Sequence, residues 1–356
     1  MKTLNEEKVI KNSNRKAMID KIVGFLFLFV CTISASIIIF TIFFIIYEGI
    51  NPFVNQYTLD DGTIGNQSFW GFLTGLSYGE SNYGSLFLVI NTLYVTLLSA
   101  IISIPVSILT SIFITRIAPK IIGEVFKTGI EILASVPSVI YGLFGMGVIC
   151  PLIRDLAYGI GIQTSGGLSV ISGAIVLAMM SIPTITLVSI TSIQSVSKSF
   201  IEGSLALGAT NSETNFKVVL KGATSGIISG IILGIGRALG EATAVSLVIG
   251  NAFSGPTFNI FGISSTLTSI MMLGIGEATG LSYDIRFSLG IMLMLIIVII
   301  NLILNYVKNK ITNPFKKENK VIAYVKDGVI YLKAYFNKNK DNDNEENKDE
   351  TKDENK

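Results

Sequence analysis

Two residues of opposite charge, Arg237 and Glu241, lie four positions apart inside the apolar run 223–250. At this spacing both would lie on one side of a helix, within reach of each other. An ionisable residue near the centre of a membrane helix costs roughly 2.5 to 3.5 kcal/mol on insertion scales, so its presence there indicates a functional site. The pair therefore predicts either chemistry on a charged solute or a structural ion pair that holds helices in register.

The chemistry that an arginine favours in this setting is the binding of an oxyanion. Its guanidinium is planar, stays charged at any accessible pH and suits bidentate contact with anionic oxygens. The Glu241 carboxylate could offset this charge in an empty pathway. It could also accept a hydrogen bond from a protonated anion but not from a fully ionised one. Thr243 adds a hydroxyl group further along. We therefore take Arg237, Glu241 and Thr243 as candidate residues of a substrate pathway.

The composition of the chain shows what kind of elements must position these residues. Half of its 356 residues are hydrophobic and 15% are charged, with a mean hydropathy of +0.61, which a water-soluble domain could not hide from solvent. Crossing ~30 Å of hydrocarbon takes about 20 apolar residues in a helix. Segments of this length are 22–47, 86–114, 128–149, 168–193, 223–250 and 287–307. The sequence thus predicts an all-α polytopic membrane protein with six transmembrane helices.

Basic residues predict the orientation of the chain, since Lys and Arg accumulate in short cytoplasmic loops. They cluster before the first span, between the second and third, between the fourth and fifth, and after the sixth. Both termini are therefore expected on the cytoplasmic side, and the first span is expected to be an anchored helix rather than a cleaved signal. The predicted regions are a cytoplasmic segment 1–21, a six-span domain 22–307 with a cytoplasmic loop 194–222, a juxtamembrane segment 308–336 and a disordered charged tail 337–356.

The sequence offers few ligands for the common metal centres and cofactors. It has no His and only two Cys, which removes the usual ligands of zinc, haem and copper. Cys31 and Cys150 belong to separate apolar segments, so no disulfide is expected. No metal, cofactor or nucleic-acid site is predicted, because topology accounts for the basic residues. The chain also has no Gly-x-x-x-x-Gly-Lys-Ser/Thr loop, so ATP hydrolysis would have to come from a partner.

Three local features complete the structural prediction. Residues 48–85 are expected to form a partly structured external loop, with Trp70 and Phe72 at the membrane surface. The apolar piece 263–275 is too short to span the membrane and is expected to be re-entrant. Pro137 is expected to kink the third span, because it removes a backbone hydrogen bond.

The loop between the fourth and fifth spans predicts a short helix, a tight glycine turn and a second amphipathic helix. Glu202 precedes Gly208 by six residues, and Ala206 and Ala209 lie on either side of the turn. Glycine permits a sharp turn that other residues resist. The segment resembles the EAA loop of ABC importer permeases, in which the turn presents a helix to a groove in the ATPase subunit. An ordinary amphipathic surface loop is the alternative.

The fifth span carries a regular series of glycines. Gly226, Gly230 and Gly234 recur every four residues. This spacing gives a helix one smooth face that another helix can approach closely. We therefore expect these glycines to form a helix contact surface.

The residues around the charged pair resemble a known permease signature. The string Gly236-Arg-Ala-Leu-Gly-Glu241-Ala-Thr-Ala-Val-Ser-Leu-Val-Ile-Gly250-Asn251 is similar to that of the PstC-type permeases of bacterial phosphate ABC transporters. The run 133–145, Leu-Ala-Ser-Val-Pro-Ser-Val-Ile-Tyr-Gly-Leu-Phe-Gly, is similar to the third-span motif of the same family. The resemblance extends over residues 20–307 and excludes the tail.

This resemblance implies an ABC importer permease of type I architecture in the bacterial cytoplasmic membrane. It implies a heterodimer with a PstA-type permease, an ATP-binding subunit and an extracytoplasmic phosphate-binding protein, with inorganic phosphate as the transported solute. It also implies that Arg237 and Glu241 are important for transport, either by contacting phosphate or by holding a gate. Membrane lipid is the other expected partner.

Three other functions are less favoured by the sequence. The cargo could be sulfate, molybdate or another oxyanion, since charge alone does not distinguish these from phosphate. A secondary transporter or channel often shows repeated halves, and the sequence shows only a short echo, Gly240-Glu-Ala-Thr against Gly276-Glu-Ala-Thr. An intramembrane enzyme is disfavoured because the predicted spans contain no His and no paired carboxylates.

Overall fold

The computed structural model describes residues 2–58, 64–79 and 82–312. The predictions for the segment 321–336 and for the tail 337–356 lie outside these residues. Residues 1–301 form one compact unit, and the described part of a second unit, 302–356, is the end of a helix. Helices dominate the described ranges, beside two small antiparallel hairpins. The predicted all-α membrane fold is therefore confirmed.

A long first helix is followed by short elements that connect it to the second span. They are α1 (Lys2–Val54), β1 (Tyr57–Thr58), β2 (Ile64–Gly65), α2 (Phe69–Thr74), β3 (Tyr78–Gly79) and β4 (Asn82–Tyr83). The surface position predicted for Phe72 is wrong, because its ring is only 4% exposed and packs in a core that includes Tyr78 and Phe87. Trp70 is 70% exposed.

The remaining helices contain the other spans and their connections. They are α3 (Leu86–Ile112) with a π-helical extension (Phe113–Ile117), α4 (Lys120–Ser135), α5 (Ser138–Phe144), a π-helical turn (Gly145–Ile149), α6 (Cys150–Gly159), α7 (Val170–Gln194), α8 (Lys198–Ala206), α9 (Asn211–Glu213), a second π-helical segment (Thr214–Val219), α10 (Leu220–Gly222), α11 (Thr224–Gly240), α12 (Thr243–Val248), α13 (Leu267–Met272) and α14 (Leu281–Thr312).

Helices of spanning length lie close to most of the predicted segments. Among the described residues, those that are long and apolar enough to cross a membrane are Lys21–Val54, Leu86–Ile117, Ser138–Gly159, Val170–Gln194 and Leu281–Thr312. A further stretch meets the same test only as a bent pair, Asn211–Gly222 and Thr224–Gly240, whose parts meet at 67°. The count therefore reaches the predicted six when this pair is taken as one span.

The third span was placed wrongly by the sequence. The predicted range 128–149 crosses a break between α4 and α5, and the helix of spanning length runs from Ser138 to Gly159. Val136 is extended, with φ −67° and ψ 128°, because a residue before proline avoids the helical region. Pro137 directly precedes α5, where its missing amide hydrogen costs no helical bond. Pro137 thus separates two helices rather than kinking one.

Helices α3 and α7 pack together at the centre of the molecule through small polar side chains. The buried hydroxyl residues of α3 are Thr92, Thr96, Ser99, Ser103, Ser107 and Ser111. Ser107 donates a hydrogen bond to the Ile182 carbonyl at 3.3 Å, and Ser111 donates to the Thr186 carbonyl at 3.2 Å. Small residues allow close helix approach in a membrane, and their hydroxyl groups find partners on the facing backbone. This pair forms the frame against which α11 is placed.

Candidate functional site

The two charged residues of the predicted pathway lie on either side of a helix end. Helix α11 ends at Gly240, Glu241 is extended with φ −77° and ψ 120°, and α12 begins at Thr243. The prediction of one continuous helix over 223–250 is therefore wrong. The expectation that Arg237 and Glu241 share a helix face is wrong for the same reason, because four-residue spacing aligns side chains only within a helix. None of the ion pairs in the described part of the chain joins them.

Arg237 is half-buried near the end of α11, about 20 Å along the helix from Thr224 at 1.5 Å per residue. Its Nη1 donates to Thr184 Oγ1 of α7 at 3.2 Å. This is its only side-chain hydrogen bond to the described residues. Because a guanidinium carries five N–H donors, most of the fork has no protein partner there.

The surface of α11 next to Arg237 is open. A methyl group built at Gly236 or Gly240 would meet no heavy atom of a more distant part of the described chain within 4 Å. The row of Gly226, Gly230 and Gly234, about 100° around the helix from the side of Gly236 and Gly240, is tightly packed, as shown below. Arg237 therefore borders a face that the described residues leave free.

Glu241 is held in place by its neighbours in the chain rather than by Arg237. Its Oε1 accepts hydrogen bonds from Thr243 Oγ1 at 2.7 Å and from the Ala244 amide at 3.2 Å. Thr243 Oγ1 also lies 2.9 Å from Ser138 Oγ, at the start of α5. Since the Thr243 proton is used on Glu241, Ser138 must be the donor to Thr243. A chain of hydroxyl groups thus connects the third span to the carboxylate.

The break in the fifth span is also fixed from the side of α13. Thr268 donates its hydroxyl hydrogen to the Glu241 carbonyl at 2.8 Å. The Leu267 amide donates to Thr92 Oγ1 of α3 at 3.0 Å. The apolar piece that sequence analysis expected to be re-entrant therefore lies against both the break and the second span.

Arg286 holds α13 from the other end, and sequence analysis missed this role. Its side chain is only 9% exposed. Its Nη1 donates to the carbonyls of Ile270, Met271 and Leu273 at 2.9, 3.1 and 2.5 Å, and its Nε donates to Ser282 at 3.1 Å. The carbonyls of Ile270, Met271 and Leu273 lie at the C-terminal end of α13, where a cation satisfies groups that the helix itself leaves unpaired. Ser282 lies in α14, the helix that carries Arg286.

The three glycines of α11 all face α7. A methyl group at Gly226 would collide with the Ser192 side chain. At Gly230 it would lie 3.1 Å from Val188 Cβ, and at Gly234 it would lie 2.5 Å from Ile185 Cγ1. The contact predicted from their spacing is present in the structure, and larger residues would force the two helices apart.

The loop between α7 and α11 contains a sharp glycine turn. Gly208 follows α8 with φ +90°, a left-handed conformation that favours glycine. Glu202 and Ala206 lie exposed on α8, and Ala209 is half-buried after the turn. The side chain of Leu207 at the turn is 91% exposed.

The far side of this turn is fixed by a helix cap. Thr210 and Glu213 form a reciprocal capping box at the start of α9. Hydrogen bonds to Lys217 and to Thr210 lower the pKa of Glu213 below its usual value. Ser204 Oγ lies 3.0 Å from Thr214 Oγ1 and ties α8 to the second π-helical segment. The loop is thus a defined structure that presents an apolar side chain outside the spanning helices.

Comparison with known proteins identifies the family. The model of the family described as "binding-protein-dependent transport system inner membrane component" matches residues 107–313. A probable ABC transporter permease protein, YqgH of Bacillus subtilis, is 36% identical over 231 residues, which cover 63% of this chain and 72% of that protein. The phosphate transport system permease protein PstC of Pasteurella multocida is 35% identical over 230 residues, which cover 61% of this chain and 72% of that protein.

A solved structure of a bacterial ABC transporter involved in the import of the acidic polysaccharide alginate is 19% identical to this chain. It covers 64% of this chain and 79% of its own, with a TM-score of 0.49. The family match and the apolar helices together describe a multi-pass inner-membrane transport subunit. The chain belongs to the binding-protein-dependent transport system inner membrane components, and its relatives place it with the PstC-type ABC permeases.

Proposed function

We propose that this chain is the permease subunit of an ATP-driven importer that carries inorganic phosphate across the cytoplasmic membrane. The observation that carries the proposal is the state of Arg237, whose guanidinium makes one side-chain hydrogen bond within the described chain and borders an open helix face. A partly buried cation with free donors loses part of its hydration without full compensation. An oxyanion that arrives at the open face supplies the missing partners.

The arrangement around Arg237 suits a tetrahedral oxyanion. Thr184 accepts a hydrogen bond from one nitrogen of the fork and so limits the rotation of the guanidinium. The remaining N–H groups can then contact two oxygens of one anion, which is the geometry that arginine provides better than lysine. We therefore propose direct contact between Arg237 and the solute.

Glu241 gives this site a means to prefer phosphate over sulfate. Its Oε1 is occupied by Thr243 and Ala244, whereas its Oε2 accepts no hydrogen bond from the described residues. Monohydrogen and dihydrogen phosphate each carry a P–OH group that can donate to a carboxylate oxygen. Sulfate has no such hydrogen at neutral pH and would meet the carboxylate with unfavourable like charge.

The cargo of the relatives agrees with this preference. The Pasteurella multocida relative is a phosphate transport system permease protein by name, whereas the name of the Bacillus subtilis relative specifies no cargo. Sulfate and molybdate are the alternative cargoes within the same class. A secondary transporter or channel is less favoured, because the family consists of components of binding-protein-dependent systems.

The proposed importer needs three partner subunits. A PstA-type permease would form the other half of the pathway, facing the open side of α11. An extracytoplasmic phosphate-binding protein would deliver the solute. An ATP-binding subunit would dock on the turn that contains Glu202, Ala206, Gly208 and Ala209. Because the ATP-binding subunit would lie in the cytoplasm, the loop 194–222 and both termini would lie there too.

The direct test is uptake of radiolabelled phosphate in a strain without its own phosphate permeases that expresses the chain with its partner subunits. Arg237→Ala should abolish uptake, because it removes the proposed contact with the anion, and Arg237→Lys should restore little of it. The matched control is Arg154→Ala, since Arg154 is exposed and paired with Asp155 at 2.9 Å. Normal uptake by Arg237→Ala would refute the role of this residue. Competition by sulfate as strong as that by arsenate would assign another oxyanion.

The coupling role of the glycine turn has its own test. Gly208→Ala should reduce phosphate uptake and uncouple ATP hydrolysis from it, because a side chain at φ +90° costs roughly 1 to 2 kcal/mol and shifts the turn. Gly203→Ala is the matched control: Gly203 is also exposed with open space around it, but it lies within helix α8. Equal behaviour of the two variants, measured as phosphate-stimulated ATPase activity of the whole complex, would contradict the coupling assignment.

A further inference from the structure

Helix α4 has the surface of an amphipathic helix that lies along a membrane rather than across it. Its exposed apolar side chains are Ile121, Ile122, Val125, Phe126, Ile132 and Leu133. Its charged residues are Lys120, Glu124, Lys127 and Glu131. At 3.6 residues per turn the apolar set covers an arc of about 140° and the charged set a separate, narrower arc.

A third side of α4 attaches it to the rest of the protein. A methyl group at Gly123 would lie 2.7 Å from the Ile114 carbonyl oxygen, so the backbones approach closely there. The Phe126 ring contacts the Phe113 ring edge-on, with centroids 5.5 Å apart. The helix thus packs against the end of the second span through Gly123 and Phe126, while the other side chains of the apolar arc stay exposed in the described part of the chain.

The length of the next helix leaves no room for α4 within the bilayer core. Residues Ser138–Gly159 form a candidate span of 22 residues, which at 1.5 Å per residue is about 33 Å long. The hydrocarbon core is ~30 Å thick. A straight continuation by the 16 residues of α4 would extend about 24 Å beyond the core and would expose the apolar side chains of α4 to water.

The junction between the two helices is a fixed bend. Val136 is extended and Pro137 cannot donate a hydrogen bond to the preceding turn. Tyr141 Oη donates to the Leu133 carbonyl at 2.8 Å, across eight positions of the chain. In a straight helix these residues would be about 12 Å apart along the axis, so the contact ties the two helices together across the break.

We propose that α4 is an interfacial helix, with its apolar arc immersed at the boundary between headgroups and acyl chains of the lipid bilayer. Its apolar arc continues the lipid-facing surface of the second span, where Ile117 is exposed beside Phe113. The two lysines and two glutamates of α4 carry no net charge together, so the apolar arc supplies the attachment. This helix would hold the cytoplasmic end of the third span at the membrane surface, independently of which solute is carried.

Spin labels on the complete importer in lipid vesicles test this inference. Cysteines are introduced one at a time at Val125, Ile132, Glu124 and Ile101, after replacement of Cys31 and Cys150. Accessibility to oxygen and to a water-soluble nickel chelate then gives the depth of each label. Val125→Cys and Ile132→Cys should lie about 5 to 10 Å below the headgroups, the depth of interfacial helices. Glu124→Cys should be reached from water, and Ile101→Cys, on an exposed side of the second span, should lie deepest.

Two results would overturn the proposal. Labels at 125 and 132 as deep as the label at 101 would show that α4 crosses the membrane. Labels at both positions that neither oxygen nor the nickel chelate can reach would show that a partner subunit covers the apolar arc. Two positions on the same arc are used so that a local disturbance at one of them does not decide the outcome.

Discussion

Arg237 and Arg286 are the same side chain in two different surroundings. Arg286 is almost fully buried, and its guanidinium donates to four backbone carbonyls. Arg237 is half-buried, with one hydrogen bond to a side-chain hydroxyl and an open helix face beside it. A buried cation held by several backbone carbonyls stabilises the fold, whereas one with a single protein partner has capacity for a ligand. The difference separates a structural arginine from a candidate solute site.

Replacing each of the two arginines should reveal this difference as a difference in stability. Arg286→Met should lower the unfolding free energy by roughly 3 kcal/mol or more, because it leaves three carbonyls of the α13 end without a donor at about 1 to 3 kcal/mol each. Arg237→Met, the matched variant, should change stability far less, since it removes one hydrogen bond. Thermal unfolding of the purified complex measures both, and equal losses for the two variants would remove the distinction.

A second test asks whether Glu241 contacts the solute beside Arg237. Glu241→Gln should reduce the preference for phosphate over sulfate by about tenfold, because a charge-assisted hydrogen bond to the P–OH group is worth about 1.5 kcal/mol or more. The amide still accepts from Thr243, so the break should keep its shape. Competition of sulfate against labelled phosphate measures the change, and an unaltered preference would show that Glu241 does not contact the solute.

Loss of the contact that orients the Arg237 guanidinium should reduce phosphate uptake, and its effect should be smaller than those of the preceding variants. Thr184→Val removes the hydroxyl that accepts from Nη1, and should reduce phosphate uptake about fivefold at low concentration, in line with about 1 kcal/mol for one hydrogen bond. Thr191→Val is the control, because Thr191 lies exposed on the same helix and bonds only to the Leu187 carbonyl of that helix. A weaker apparent affinity with an unchanged maximal rate would distinguish orientation from damage to the fold. Identical kinetics of the two variants would contradict the orienting role.

Periodic and compositional features of the sequence were sufficient to predict much of the fold. Helix α7 lies within a residue or two of the predicted fourth span, because its apolar residues form one continuous run. The contact of Gly226, Gly230 and Gly234 with α7 was readable from spacing alone. The turn at Gly208 was readable from the residue type. These features depend on local chemistry, which a sequence records directly.

The features that the sequence did not reveal depend on distant partners. The end of α11 at Gly240 has no proline to mark it, and it is stabilised by Thr268, which lies 27 residues after Glu241. The role of Arg286 was not predicted, because its carbonyl partners lie in the short helix α13, which hydropathy alone does not resolve as an element. Pro137 did mark an interruption of the third span. The sequence did not show that Pro137 lies before a helix rather than inside one, because the hydrogen bond of Tyr141 to the Leu133 carbonyl across the break is a tertiary contact.

The packing of α11 on α7 has a geometric consequence for movement. The side chains of α7 that fill the glycine positions, among them Val188 opposite Gly230, face notches that repeat every four residues. A displacement of α11 by one repeat, about 6 Å along its axis at 1.5 Å per residue, would set Val188 opposite Gly226 or Gly234 instead. Because the fit repeats only at this interval, the packing resists smaller displacements of α11 along α7.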